Sequence, residues 1–411
     1  MSYPVTLGVT IDFSSGPVFG YSFTIGDPQH GILGTNVLAN DASDVVDVSS
    51  STGRVSIKRG YQLLQDQFQA GTASLRIYDP TGDWNPQNTA SPYFGKLMPL
   101  RKVRVTGNDS FLFAGYTTGY NYTYPKDQEI GFVDIECVDA FRLLNMANIT
   151  TVTGATAGQD TGTRITKILD AVSWPPSMST IATGDTTCQA DPGGARNALN
   201  SIKNVEFSEQ GAFYVSPEGN VVFKNRKSII AKSGQNPTIF SNDNTGIGYK
   251  NIVFAFDDKL IINQANITRN GGTVQNAFSS TSIDKYFPHS LNYGALVVET
   301  DADALNIARA YVVTRAETTL RADSISLDLT TPDYAAGVTA ALTIDYFDTL
   351  QIKNVGQDGT IIEKTLQCMG VAHEITSSTW TTTFTTSEPI IDGFIIGSSL
   401  YGIIGTSVMT Y

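Results

Sequence analysis

Cysteine is nearly absent from this chain of 411 residues: Cys137, Cys188 and Cys368 are its three, with no CxxC among them. So odd and scattered a set argues against a disulfide-stapled or zinc-stapled scaffold. Histidine is as scarce, three in all, which leaves little for acid–base chemistry near neutral pH. No Gly-x-Ser-x-Gly elbow, P-loop or Gly-x-Gly-x-x-Gly occurs, so neither catalysis nor a bound cofactor is expected. Basic residues are outnumbered, 27 against 39 acidic, for a formal net charge of −12. Phosphate binding needs clustered Lys and Arg, and this balance argues against a nucleic-acid grip. No run of about 18 uncharged apolar residues is present to span a bilayer. The opening MSYPVTLGVTIDF has neither the basic nor the apolar stretch of a secretory signal. The chain reads as one made in the cytosol.

What the chain does have is glycine (37), phenylalanine (20) and tyrosine (18), with Thr and Ser throughout. That mixture suits half-buried strands joined by tight turns. Apolar residues make up 41% and charged residues 16%, enough for real cores and little disorder. A prior of roughly 100–200 residues per domain suggests two to four domains.

Residues 1–150 read as strands of a barrel or sandwich. Val55 and Ile57, then Ala73, Leu75 and Ile77, then Val133, Ile135 and Cys137 alternate with polar neighbours. Turn clusters such as Asp79-Pro80-Thr81-Gly82-Asp83 separate them, and a short helix over 139–147 closes the unit. The period changes in 151–247, read as a small α+β domain. Ile165, Ile168, Leu169 and Val172 fall at helical spacing, ended by Trp174-Pro175-Pro176. A second helix is expected to start at Asp191 as N-cap with Pro192 following. A hairpin then turns at Pro217–Asn220. From 248 to 388 strands return with one helix, which Thr300 and Asp303 cap and Leu305, Ala308 and Val312 bury. Ile325, Leu327 and Leu329 point inward from a strictly alternating strand. Residues 389–411 form a Gly-punctuated apolar tail, rich in residues such as Phe394, Ile395, Ile396, Leu400 and Tyr401. So apolar a segment is costly to leave in water and is expected to pack on a neighbouring surface and serve assembly.

Four groups of residues hint at chemistry. His373-Glu374 lacks the second histidine four positions on that a zincin helix needs, since Ser377 stands there, and reads as part of a strand. Asp79, Asp83, Asn85 and Asn88 could attract Ca²⁺, but their spacing is not that of an EF-hand and Asx residues ordinarily form turns. Glu206 and Glu209 could pass for paired glycosidase acids; they read better as solvated charges in a helix-to-strand connection. Tyr116, Tyr120, Tyr122 and Tyr124 share parity in one strand. They form either cross-strand packing with hydroxyls at the rim or a contact patch for sugar or protein.

Several segments, in their order and spacing, resemble tail-tip hub proteins of phages with long non-contractile tails. They begin with Val55-Ser-Ile-Lys-Arg-Gly60, 68–75, Tyr78-Asp-Pro80, Asn85-Pro-Gln-Asn88 and Ser91-Pro-Tyr93. Met98-Pro-Leu-Arg101, Val103-Arg-Val105 and Leu112-Phe-Ala-Gly115 come next, then Ile168-Leu-Asp170 leading to Trp174-Pro175. Residues 208–215, Gly219-Asn-Val-Val-Phe223, Gly370-Val-Ala-His373 and Trp380-Thr-Thr-Thr-Phe384 complete the pattern. These hubs are similar to the baseplate hub of contractile-tailed phages, in which two tube-type barrels per chain let a trimer imitate a sixfold ring. The resemblance implies a mainly β chain with two tube-type β-barrel domains flanking a small α+β domain. It implies a virion protein without enzymatic activity, a homotrimer joining a distal tail or tail tube protein to fibre proteins, with a tape-measure terminus nearby. DNA would meet it only in passage. The acidic excess either lies on the inner face of the ring, through residues such as Asp134 and Glu136 or Asp323 and Asp328, or serves only solubility. A hexameric distal-tail adaptor ring and a carbohydrate-binding tail adhesin are the alternatives.

Overall fold

The computed structural model describes residues 5–13, 44–62, 67–126, 130–233, 236–331 and 334–389. Its first third is built from β1 (Leu7–Asp12), β2 (Val45–Asp47), β3 (Thr52–Gln62), β4 (Gln67–Phe68), β5 (Thr72–Tyr78), β6 (Lys102–Gly107), β7 (Ser110–Thr123) and β8 (Phe132–Val138). Val55, Ile57, Leu75, Ile77, Val133 and Ile135 are buried together, because side chains two apart on a strand share a face. The short helix α1 (Phe141–Met146) closes the run and buries Phe141 and Leu144.

The middle unit contains β9 (Asn148–Ile149), β10 (Gln159–Asp160), α2 (Thr161–Ala171), β11 (Ser179–Ile181), β12 (Thr187–Cys188), β13 (Arg196–Asn197) and α3 (Ala198–Glu209). The hairpin β14 (Ala212–Val215) and β15 (Val221–Lys224) and the helix α4 (Arg226–Ser233) complete it. Helix α2 buries Ile165, Ile168 and Leu169, as the helical spacing requires. Helix α3 starts later than the sequence suggests. Its N-cap is Asn197, which accepts from the Asn200 N–H at 3.0 Å. Asp191 instead pairs with Arg196 and takes the Val152 N–H. Gly193 and Gly194 come after it at φ +68 and +81, left-handed backbone that no helix can continue through.

The remainder runs through β16 (Thr238–Ser241), β17 (Asn251–Ala255), β18 (Gln264–Arg269), β19 (Gln275–Phe278), α5 (Ser280–Tyr286), β20 (Ser290–Leu296) and α6 (Asp301–Arg315). It ends with β21 (Arg321–Asp328), α7 (Ala335–Thr343), β22 (Thr349–Val355), β23 (Ile361–Thr376) and β24 (Trp380–Ser387). The capping box of α6 is formed, Thr300 and Asp303 each accepting the other's backbone N–H at 3.2 Å. Its buried stripe is Ala304, Ile307, Ala308, Tyr311 and Val312, with Leu305 only half-buried. Among the described residues three helices rather than one fall in this region. α6 packs on the three-stranded sheet β19-β18-β20, and together they enclose a core of their own around Ala265, Ile267 and Leu296.

The protein is mainly β, but the two β regions expected as separate barrels share one sheet. Its order is β17-β21-β24-β23-β3-β5-β8-β7-β6-β1-β2, with β22 and β16 branching beside β23. The seam is β3 against β23, antiparallel from Gly60 opposite Gly370 to Arg54 opposite Thr376. Two glycines permit this approach: a Cβ on Gly60 would fall 2.8 Å from the Gly370 Cα. One core runs beneath both regions, joining Val55, Leu75 and Ile135 to Ile325, Leu327 and Phe384. Among the described residues no helix is long and apolar enough to cross a membrane. The tail residues Phe394, Ile395, Ile396, Leu400 and Tyr401 lie outside the described residues.

Candidate functional site

The side of the shared sheet turned away from its core is a broad polar surface that crosses the seam. Strand register places Asn121, Asp134, Arg76 and Arg54 in one row. Beside it run Glu136, Ser74, Ser56, Glu374, Thr381 and Asp328, and beside that Thr72, Lys58, Ala372, Thr383, Ser326 and Asn251. Cross-strand neighbours on one face lie about 5 Å apart, close enough for opposite charges to pair. They do. Arg76 donates to both oxygens of Asp134 at 2.8 Å, with its guanidinium 4.1 Å from the Phe132 ring centre. Arg54 reaches Glu374 across the seam at 3.5 Å, and Lys250 reaches Asp328 at 3.2 Å. Ser74 donates to Glu136 at 3.0 Å.

Three of the acids named from the sequence, Asp134, Glu136 and Asp328, therefore lie on this face. Asp323 does not join them in the same way. It is the extra residue of a bulge in β21, between the pairs made by Ala322 and Ser324, and accepts from Arg321 at 3.2 Å. With Glu374 the face carries four acids against Arg54, Lys58, Arg76 and Lys250. The acidic excess of the chain is not concentrated here; the face is close to neutral.

A bulge also separates the tyrosines. β7 pairs with β8 through Tyr116–Val138 and Thr117–Cys137, then slips one residue to Gly119–Glu136 and Tyr120–Ile135. The slip reverses which parity faces the core. Tyr116 is buried on one side, whereas Tyr120 and Tyr122 pack from the other against the shared core. Burial pushes both the Tyr116 and Tyr120 phenols up to about 12. Tyr124 lies beyond the strand, exposed, with its hydroxyl 3.4 Å from Asp79. The four phenols form no single face.

The Asp79–Asn88 oxygens serve the turn itself. Asp79 accepts from the Trp84 N–H at 3.2 Å, Asp83 from the Thr81 hydroxyl at 2.6 Å and Asn85 from the Gln87 N–H at 2.9 Å. Asn88 accepts from the Ala90 N–H at 3.1 Å. Calcium takes six to eight oxygens, and here Asp79 Oδ1 is the buried oxygen left without a hydrogen bond. Among the described residues no group of three or more His, Cys, Asp or Glu is placed to hold a metal ion.

Glu206 and Glu209 are not solvated. Both sit in the last turn of α3 and are almost fully buried. Glu206 accepts from Lys203 at 2.8 Å and from the Phe213 N–H at 2.7 Å. Glu209 accepts from the Thr161 hydroxyl and from the Asp185 and Thr186 N–H groups. Glu206 thus ties the helix to β14, and Glu209 ties it to α2 and the loop before β12. The amphipathic period of α3 is the signal that could have placed them inside.

His373 stands on the core side of β23, opposite Ile57 and Thr382. Its Nδ1 lies 3.0 Å from the Thr382 hydroxyl, and the Trp380 indole N–H donates to it at 3.4 Å. Burial first, and the Arg59 guanidinium second, push its pKa down to about 3. The unfolded chain takes up a proton below about 6.5 that the folded chain refuses, so this histidine's contribution to stability is whole above that pH. It is lost as pH falls toward about 3, by up to ~1.4 kcal/mol per pH unit. Asp139, whose burial raises its carboxyl to about 7, opposes this in the total. The slope should therefore appear in the stability difference between wild type and His373→Asn, measured by urea unfolding from pH 7 to pH 4; a difference that does not change with pH would assign the acid sensitivity elsewhere.

No protein-family model matches the sequence, and no curated protein is similar to it. Solved structures do share its fold. A tail protein from Neisseria meningitidis superposes with a TM-score of 0.58 at 10% identity, over 95% of this chain and 98% of that one. The 43 kDa tail protein of prophage MuSo2 from Shewanella oneidensis gives 0.52 at 12% identity, over 84% of this chain and 96% of that one. The chain thus shares its fold with these two tail proteins, over 95% and 84% of its length.

Proposed function

We propose that the chain is a structural, non-enzymatic hub of a phage tail tip, with the open face of the shared sheet lining the passage for DNA. The observation that carries this reading is the β3–β23 seam, which makes one continuous polar face out of two β regions. A wall that carries moving DNA must not hold phosphates, and the cations of this face are offset by neighbouring carboxylates. Two β regions per chain also suit a ring of three copies, sixfold in its contacts toward a tail tube or distal tail protein and threefold toward fibre proteins. A tape-measure terminus within the bore fits the same arrangement. The tail and its neighbours would be assembled in the host cytoplasm and the protein carried in the virion.

Electron cryomicroscopy of purified virions tests this directly. Three copies are expected as a ring at the tail tip. Six copies would favour the distal-tail adaptor, and absence from the particle would end the tail reading.

A further inference from the structure

The sheet β19-β18-β20 packs one face on α6 and leaves the other open. Strand alternation sends Ala265 and Ala277 into the core and their neighbours out. Register then puts Phe278, Gln264 and Ser290 in one outward row and Asn276, Asn266 and Asn292 in the next. Neither row holds a charge, in a chain whose formal net charge is −12. Phe278 is 64% exposed, and at the same end of the sheet Phe287 is 81% exposed.

The amides of this face hold one another in fixed orientations. Asn276 donates to Asn266, Asn266 donates to Asn292 at 2.8 Å, and the Ser290 hydroxyl donates to Gln264 at 3.1 Å. Because the asparagines all donate in one direction, each bond polarises the next. Among the described residues, Asn276 Oδ1, Asn292 Nδ2 and Gln264 Nε2 have no partner. One acceptor and two donors are therefore free, the asparagine pair separated by two strand spacings, about 10 Å. Phe287 adds a second feature. Its φ of +67 and ψ of 166 form a backbone conformation that ordinarily belongs to glycine. Asn263, fully buried, keeps it there: its amide donates to the Phe287 carbonyl at 2.8 Å and accepts from the His289 N–H at 2.7 Å. A phenyl ring held in water on a glycine backbone is unfavourable on both counts, unless the ring has a contact to make outside the chain.

We propose that this face binds a neutral oligosaccharide, the Phe278 and Phe287 rings against the C–H faces of the sugar and the amide rows against its hydroxyls. A hydroxyl both donates and accepts, so it can meet Asn276 Oδ1 and Asn292 Nδ2 alike, and no ion has to leave water for it to do so. The centre of a protein interface is mainly apolar, whereas the centre of this face is amide with its aromatic rings at one end. A charged polymer would find no opposite charge in either row. The site stands independently of the tail-tip reading, since it is a property of the isolated chain.

Saturation-transfer difference NMR on the full-length protein tests it, with maltotetraose, cellotetraose, mannotetraose and chitotetraose as separate probes. At least one is expected to receive saturation at its ring protons, with no loss as sodium chloride is raised about tenfold, because no ion pair is involved. Phe287→Gly should cut the transfer about fivefold or more, as loss of an aromatic anchor does. The same variant should unfold at the same temperature or higher, since glycine suits that backbone. Asn292→Ala should cut the transfer as far, and Val313→Ala, exposed on α6 across the sheet, should leave it unchanged. No transfer to any of the sugars would overturn the proposal, as would full transfer to the Phe287→Gly protein. A fall in oligomeric mass of that variant by light scattering would overturn it in favour of contact between copies.

Discussion

Replacing Glu209 with Ala should cost the middle unit about 3–5 kcal/mol, since hydrogen bonds to a charged group contribute roughly 1.5–3 kcal/mol each when their partners are left unpaired. Its carboxylate is 1% exposed as a residue and holds three donors: the Thr161 hydroxyl at 2.8 Å, the Thr186 N–H at 2.9 Å and the Asp185 N–H at 3.0 Å. The end of α3 is thereby fastened to the start of α2 and to the loop between β11 and β12. Packing at that junction leaves no slack, because a Cβ on Gly184 would fall 1.7 Å from the Thr161 hydroxyl oxygen. Alanine would leave two backbone donors without their carboxylate, that of Thr186 half-buried and that of Asp185 on an exposed residue. Glu209→Gln keeps the shape and one good acceptor, so it should fall between wild type and Glu209→Ala. Trp174, packed in the same core, reports on unfolding of this unit by its fluorescence in urea. A loss below about 1 kcal/mol for the alanine variant would show that the donors find other partners.

The same junction shows what was legible in the sequence. Periodicity placed Ile165, Ile168 and Leu169 inside correctly, because a helical stripe states its own partner face. It also placed the strands, and the capping box at Thr300 and Asp303 formed as spaced. Glu206 and Glu209 went the other way, since charge alone reads as exposure while their burial depends on donors from Phe213, Thr161, Asp185 and Thr186, up to 48 residues away. The tyrosines of β7 failed for a local reason. One inserted residue at Thr118 inverts the face, and no composition signal marks it. The candidate surface itself was half legible. Asp134 and Glu136 were recognisable as outward residues, but Arg54 and Glu374 come together only because β3 and β23, 320 positions apart, meet at a pair of glycines. Strand pairing at that range is a property of the whole fold and leaves no trace in either segment alone.

Charge on that face is the most direct way to test the proposed passage of DNA. Glu136→Lys, Glu374→Lys and Asp328→Lys together would turn four cations and four acids into seven cations and one acid, leaving the Asp134–Arg76 pair intact. Glu136 and Glu374 are exposed and Asp328 sits at the strand end, so folding and tail assembly should survive; exposed pairs of this kind contribute about 0–1 kcal/mol. The effect on DNA would be much larger. Each added phosphate contact releases condensed counterions, and several around a ring should slow genome ejection on the order of tenfold or more at low salt. The delay should shrink steeply as salt is raised, since the affinity falls with nearly one power of salt concentration per contact. A misassembled tail would not recover in that way. The neutral triple variant Glu136→Gln, Glu374→Gln and Asp328→Asn separates added charge from lost pairing, and should eject at close to the normal rate. Ejection by the lysine variant that matches wild type at low salt, in particles with a full complement of the protein, would mean that this face never meets the genome.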